Sequence, residues 1–198
     1  MPISINGSGT VTGISVGGLP DSIVDTDMLA ANAVSAAKLA SGVGGKIMQV
    51  VTNSTNTAVS NNSNSYADTG LSCSITPLSA SSKILVQVDQ QMQINGVGAS
   101  NGGFGVQLLR GSTVIVNGGP SNTIGPYGYY FHQLNGNLNF YLRHINCILD
   151  GPSYSVGDTL TYKTQMRRYD TGVVVYAQVE DTNNENGVSR MTLMEVAA

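Results

Sequence analysis

The sequence is short of charge, has no tryptophan and has only two cysteines. Charged residues make up 11% of its 198 positions, against about 25% in an average soluble domain. Nine Lys and Arg residues are scattered along a chain of net charge −3, which leaves no basic stripe for counterion release from a nucleic acid. We therefore expect no nucleic-acid partner.

Long apolar runs are also missing. No stretch approaches the roughly 20 apolar residues that span a bilayer, and Met1–Asn6 lacks the basic start and apolar core of a secretory signal. We expect no membrane insertion and a protein that is made and folded in a cytoplasm. Cys73 and Cys147 lie far apart in strand-like runs, which favours two buried thiols over a disulfide. The residues alone leave their pairing open.

Residues 1–45 differ in composition from the rest of the chain. They contain no aromatic residue and are rich in Gly, Ala and Ser. An apolar side chain recurs at every fifth position, a spacing that matches neither a helix nor a strand. The six positions are Ile14, Leu19, Val24, Leu29, Val34 and Leu39. This pattern predicts an N-terminal stalk that becomes ordered by self-association through these side chains, or by packing on a scaffold protein.

Two alternatives to an extended stalk stay open. Residues 26–41 suit a short helix, with Thr26 as its N-cap, Asp27 at the positive end of the dipole and Gly42 at the C-terminal stop. An Ala-rich helix of this length is marginal in water without partners. A segment rich in Gly and Ser is also compatible with a flexible linker.

From residue 46 to residue 198 the apolar period changes to two, which indicates one β-domain. In the run Lys83–Ile94, one face is apolar and the other carries mainly Gln and Asp, as in a strand with one face in a core. The apolar face consists of Ile84, Val86, Val88, Met92 and Ile94. The nine predicted strands are Ile47–Thr52, Leu71–Ile75, Lys83–Ile94, Phe104–Arg110, Thr113–Val116, Leu138–Leu149, Leu160–Tyr169, Val173–Val179 and Val188–Val196.

Turn-forming residues separate these strands. Asp68-Thr69-Gly70 and Arg110-Gly111-Ser112 are two such turns, and Asn135-Gly136 is the clearest hairpin signal. Many short strands with polar turns and no helical pattern between them favour a sandwich over an α/β layout. The predicted fold is an all-β, jelly-roll-like antiparallel β-sandwich head over residues 46–198, with an extended or short-helical N-terminal stalk over residues 1–45.

Residues with catalytic or metal-binding chemistry are sparse. His132 and His144 are the only histidines, and neither has a cysteine or carboxylate beside it at metal-ligand spacing. Both fit strand positions with a half-buried imidazole. The acidic stretch of residues 180–187 lacks the phasing of a calcium loop, which favours a solvated hairpin tip. We expect no catalytic site, no metal and no cofactor, and a protein that is not an enzyme.

Aromatic residues concentrate in residues 126–132, which hold four of the twelve. Exposed Tyr rings beside Gly and Asn loops suit stacking on sugars and contacts of low entropy cost. The candidate receptor-contact residues, from this segment and the acidic loop, are Tyr127, Tyr129, Asn183 and Asn184. The alternative is that the aromatic side chains alternate across one strand and fill the core and a subunit interface.

Four segments, in their order along the chain, resemble the head module of phage tail-fibre and related virion fibre proteins, which is common in marine and cyanobacterial phages. They are Gly45–Val51, Tyr66–Pro77, Ser81–Val86 and Arg190–Val196. Ile23–Ala40 is similar to segments that precede such heads. Leu149–Leu160 resembles the turn before a late strand in trimeric jelly rolls of the complement-head and tumour-necrosis-factor type, which bears on fold and symmetry only.

The resemblance implies a homotrimeric structural protein of a phage virion, assembled in the host cytoplasm. It implies a tail-fibre tip that anchors to other virion proteins of the tail, baseplate or capsid through its N-terminal segment. The head would contact a glycan or protein of the host surface, and three weak sites would act by avidity. The alternative is a capsid or baseplate decoration or head-fibre protein that stabilises the particle without receptor binding. A depolymerase is a third possibility, disfavoured by the short chain and the missing carboxylate pair.

Overall fold

The computed structural model describes residues 4–5, 11–12, 46–97, 101–118, 128–132, 137–179 and 187–198. Contacts divide the chain into two compact units, Met1–Gly45 and Lys46–Ala198. In the first unit, β1 (Ser4–Ile5) pairs antiparallel with β2 (Val11–Thr12). The six predicted stalk side chains, from Ile14 to Leu39, and the alternative helix over residues 26–41 lie outside the described residues. The stalk stays a prediction.

Lys46–Ala198 is all-β, as predicted: its described residues form two antiparallel sheets and no helix. The first sheet contains β3 (Ile47–Thr55), β4 (Val59–Asn61), β6 (Lys83–Val97), β10 (Asn137–Asp150), β12 (Val174–Ala177) and β13 (Ser189–Val196). The second contains β5 (Ala67–Ile75), β7 (Asn101–Arg110), β8 (Thr113–Val116), β9 (Gly128–His132) and β11 (Leu160–Arg168). All nine predicted strands are present with small shifts in their bounds, and β4 is additional. The strand β9 is the one expected in the alternative interpretation of residues 126–132.

The long strand β6 organises the first sheet. One edge of β6 pairs with β13 and, further along, with β12, while the opposite edge pairs with β10. The order is therefore β3-β13-β6-β10, and β4 extends the sheet beside β12. In the second sheet the order is β5-β11-β7, and β8 and β9 share the remaining edge of β7.

Side chains of both sheets meet in two apolar clusters, which makes the architecture sandwich-like. In one cluster, β5, β7, β8 and β11 pack against β6 and β13. In the other, β7 and β11 pack against β6 and β12. The predicted inward face of β6 is confirmed, since its five apolar residues from Ile84 to Ile94 are at most 1% exposed. Full burial of one such side chain stabilises a fold by about 1.5–3 kcal/mol.

Polar side chains lie between the two apolar clusters. On β6, Gln90 stands between Val88 of one cluster and Met92 of the other, and it is fully buried. With its amide oriented to satisfy its neighbours, Gln178 accepts a hydrogen bond from Nε2 of Gln90 at 3.3 Å. His144 of β10 lies directly opposite Gln90 and is 2% exposed. A buried polar layer thus divides the interior.

One predicted turn and one predicted hairpin are wrong. Asp68-Thr69-Gly70 lies inside β5, where the register with β11 shifts and Gly70 has a φ of +83°. A glycine in this conformation accommodates a β-bulge, so the strand continues. Asn135-Gly136 lies between β9 and β10, which pair with β7 and β6 in different sheets. The chain therefore crosses between sheets here, and within the described residues these two strands form no hairpin.

The two cysteines are free thiols in different environments. Cys73 is 4% exposed in the core, as predicted, and burial raises the pKa of its thiol. Cys147 is exposed, so its predicted burial is wrong. The reason is its position on β10, where Ile148 packs against the core and the neighbouring residue faces the opposite way.

Candidate interaction surface

The first sheet turns one face to the core and the other, its outer face, away from the core. Residues directly opposite in antiparallel strands point to the same face. The register therefore arranges the outer-face side chains of β3, β13, β6 and β10 in rows, with one residue from each strand in each row.

The first row, here called the apolar row, crosses all four strands. It consists of Val50, Met194, Leu85 and Leu149. Val50 is 56% exposed and Leu149 is 49% exposed, so both ends of the row are open. Ile47 and Met48, at the start of β3, are also exposed. Single exposed apolar residues are ordinary, but a contiguous patch is typical of an association surface.

A polar row follows, and the next row carries charge. The polar row is Thr52, Thr192, Gln87 and Cys147, and the arginine row is Ser54, Arg190, Asp89 and Ile145. Arg143 of β10 donates from Nε to Oδ1 of Asp89 at 2.6 Å and from Nη2 to the carbonyl of Val188 at 3.1 Å. Within the described part of the chain, the guanidinium of Arg190 has no ion pair.

Three hollows open around Arg190. The first, of about 270 Å³, is bordered by Gln87 and Ile145. The second, of about 480 Å³, is bordered by Thr52 and Ser54. The third, of about 250 Å³, lies beside the ion pair between Arg143 and Asp89. The surface around Arg190 is therefore concave on three sides.

Two tyrosines lie beyond the arginine row, at the end of the outer face far from Lys46. Tyr176 of β12 and Tyr141 of β10 flank Gln93 of β6 in register. Both tyrosines are half-buried, and Nε2 of Gln93 donates to the hydroxyl of Tyr141 at 3.1 Å. This tyrosine row is separated from the arginine row by four residues of β6, roughly 13 Å of extended chain.

The carboxylate of Glu195 on β13 points away from this face. It accepts hydrogen bonds from the backbone N–H of Leu78 at 2.9 Å and of Ser79 at 3.1 Å, and from Nε2 of Gln49 at 2.6 Å. Burial alone raises the pKa of Glu195, but these bonds outweigh burial and hold the pKa below its usual value. The ionised group fixes the connection between β5 and β6 and leaves the outer face without its charge.

The outer face of the second sheet has a different character. There, Lys163 donates to Asp68 at 2.9 Å, Gln165 donates to Asp68 at 2.7 Å, and Gln107 donates to Gln165 at 2.6 Å. Burial raises the pKa of Asp68, but the bonds from Lys163 and Gln165 lower it below its usual value. Among the strand side chains whose exposure is described, Val114 is the one large exposed apolar residue of this sheet. The exposed apolar surface of the strands is therefore concentrated on the first sheet.

Of the four predicted receptor-contact residues, the structure describes Tyr129. Its ring stacks on Phe104, with centroids 4.9 Å apart, and its hydroxyl lies 3.0 Å from Nδ1 of His144. Burial raises the pKa of the Tyr129 hydroxyl. Tyr127, Asn183 and Asn184 lie outside the described residues. The half-buried ring of Tyr129 packs against the apolar cluster formed by β6, β7, β11 and β12. Receptor contact by the four predicted residues stays a prediction.

Metal sites, membrane-spanning helices and a serine nucleophile are three further possibilities. Among the described residues, no three His, Cys, Asp or Glu side chains come together as metal ligands, and no helix is long and apolar enough to cross a membrane. Gly13-Ile14-Ser15-Val16-Gly17 has the Gly-x-Ser-x-Gly spacing of a nucleophile elbow. Gly98-Ala99-Ser100-Asn101-Gly102 has the same spacing. The sequence reasoning overlooked both pentapeptides, and both serines lie outside the described residues.

The rows of the outer face were also missed from the sequence. Their strands were predicted, but the residues of one row come from four separate parts of the chain. The available signal was the apolar residues at positions 85, 145, 149 and 194 on the side of each strand that faces away from the core. In comparisons with known proteins, no family model and no curated protein matches this sequence.

Proposed function

We propose that this protein is a structural protein of a phage virion, a trimeric fibre tip whose head contacts the host surface. The observation that carries the proposal is the apolar row, which lies on one face of a β-domain and suits association with further copies of the same chain. The resemblance of four segments to virion fibre heads supplies the phage context and the number three. A cyclic trimer is one of the closed symmetries that homo-oligomers adopt.

The strand order supports a jelly-roll arrangement of the head. Along the chain, β3, β6, β10 and β13 of the first sheet alternate with β5, β7 and β11 of the second. Such alternation between two facing antiparallel sheets is the pattern of a jelly roll, which leaves short loops at the ends of the sandwich for contacts with partners.

The position of the apolar row supports a division of labour along the sheet. Val50 lies near the start of β3, a few residues after the junction with residues 1–45, whereas the arginine and tyrosine rows lie further along the same face. If copies of the chain associate through the apolar row, the arginine and tyrosine rows stay accessible to a ligand on the host surface. The N-terminal unit then provides attachment to the particle.

Labelled particles and competition for adsorption test the proposal. Antibody against the purified protein should decorate the surface of phage particles in electron micrographs, and excess purified protein should slow adsorption of those particles to their host. Unlabelled particles would overturn the proposal. Particles that carry the protein, adsorb normally without it and fall apart on mild heating would assign it instead to decoration of the capsid or baseplate.

A further inference from the structure

We infer that the concave surface around Arg190 is a binding site for an acidic saccharide, one whose sugar rings carry carboxylates. The site consists of the Arg190 guanidinium, the pair of Arg143 and Asp89, and the hollows that adjoin them. The inference rests on the proposed function, because it gives a chemical class to the host-surface ligand of the head.

Charge favours an anion at this position. Among the described residues of the site, Arg143 and Arg190 carry two positive charges and Asp89 carries one negative charge. Asp89 is already engaged by Nε of Arg143 at 2.6 Å. The other carboxylates of these four strands face the interior: Glu195 binds backbone N–H groups, and Asp150 pairs with Arg110 of the second sheet. Arg190 is thus available to an external carboxylate.

The geometry of the guanidinium suits a carboxylate better than a neutral hydroxyl. Its planar fork places two N–H donors against two carboxylate oxygens, and such charge-assisted pairs are roughly twice as strong as neutral hydrogen bonds. Arg143 is held in place by three described acceptors, on Asp89, Gln91 and Val188. Arg143 therefore contributes a positive charge at a fixed position. Arg190 contributes the guanidinium that contacts the ligand carboxylate.

The hollows beside Arg190 present the other groups that sugars need. Gln87 and Thr192 border the hollow of about 270 Å³ with an amide and a hydroxyl, and Ile145, which is 70% exposed, borders it with an apolar side chain. Saccharide rings combine polar edges with apolar C–H faces, and this lining offers partners to both. The volume of this hollow, about 270 Å³, is slightly below the roughly 300–1,000 Å³ of most ligand pockets, which suits one sugar unit held on an open face.

The tyrosine row extends the same surface in one direction. Tyr141 and Tyr176 flank Gln93, which lies roughly 13 Å along β6 from Asp89, the residue opposite Arg190. Aromatic rings with one polar end suit stacking against sugar rings. A single site of this kind is weak, and three sites on a trimer gain strength through avidity.

Calorimetric titration of the full-length protein with an oligogalacturonate tests the site, with the methyl-esterified oligomer as the neutral ligand of the same sugar sequence. The acidic oligomer should bind, and binding should weaken as salt is raised. Arg190→Gln should reduce the affinity about tenfold or more, the loss expected when one charge-assisted pair is removed. Methyl esterification should have a comparable effect.

Lys163→Gln is the matched control, because it removes one positive charge from the outer face of the second sheet. It should leave the affinity unchanged. Equal binding of the two oligomers, equal losses in the two variants, or no binding of the acidic oligomer would each overturn the site. If the purified protein slows phage adsorption but the binding tests fail, the site is overturned and the proposed function stands. If the acidic oligomer binds through Arg190 but antibody against the protein never decorates phage particles, the proposed function is overturned and the site stands.

Discussion

At the scale of single residues, the interior of the sandwich depends on a few polar side chains that meet between the two apolar clusters. Gln90 occupies an inward position of β6 where the alternation calls for an apolar residue. His144 lies opposite it and makes a contact of 3.0 Å with the hydroxyl of Tyr129. Buried polar groups of this kind stabilise a fold only while their partners are in place.

His144 should make stability fall in mild acid. Burial lowers the pKa of His144 from 6.5 to about 4. Between pH ~6.5 and pH ~4 this imidazole is therefore protonated in the unfolded chain but neutral in the native protein. The free energy of unfolding should therefore decrease by about 2.5 kcal/mol between pH ~7 and pH ~4.5. Urea unfolding at both pH values measures this decrease. His144→Gln should remove the part of the decrease that comes from protonation of this imidazole. An unchanged pH dependence in the variant would contradict the assignment.

At the scale of elements, the alternation of apolar and polar side chains predicted where the strands lie. The turn residues between them did not predict which strands pair. Gly70 permits a bulge inside β5 as readily as a turn, because a positive φ serves both. Asn135-Gly136 has hairpin chemistry, yet the strands on either side of it find partners in opposite sheets. At both places the pairing of the flanking strands was decided by tertiary packing.

The segment after β8 lies unusually close to β7. A Cβ atom on Gly118 would lie 2.3 Å from the carbonyl oxygen of Val106 and 2.6 Å from the hydroxyl of Tyr66. Gly118→Ala should therefore cost about 1–3 kcal/mol of unfolding free energy, the usual cost of overpacking. Thermal or urea unfolding measures this cost. Gly151→Ala is the control, because nothing lies within 4 Å of its added Cβ, and a similar loss in both variants would refute the close approach.

At the scale of the whole molecule, the two outer faces of the sandwich differ in kind. The second sheet presents hydrogen-bonded polar side chains such as Asp68, Lys163 and Gln165. The first presents the apolar row and, further along, the arginine and tyrosine rows. This asymmetry is the physical basis for assigning self-association to one part of the first sheet and ligand contact to another.

Charge placed in the apolar row should break the proposed trimer. Val50→Asp combined with Leu149→Asp puts a carboxylate at each end of the row, where burial against a second copy would leave it unpaired. Sedimentation equilibrium should then show a fall from about three chains to one. Val114→Asp, on the second sheet, should leave the mass unchanged. A double variant that stays trimeric would place the association elsewhere on the chain.

The two-residue alternation of apolar side chains is a local property, so it located the nine predicted strands and the inward face of β6 without any knowledge of their partners. It also separated residues 46–198 from the segment before them. Pairing is different, because it joins residues distant in the chain, and the register that sets Arg190 beside Asp89 depends on how the whole sandwich packs. That register alone assembled the apolar, arginine and tyrosine rows, turned Cys147 outward and brought His144 to Gln90.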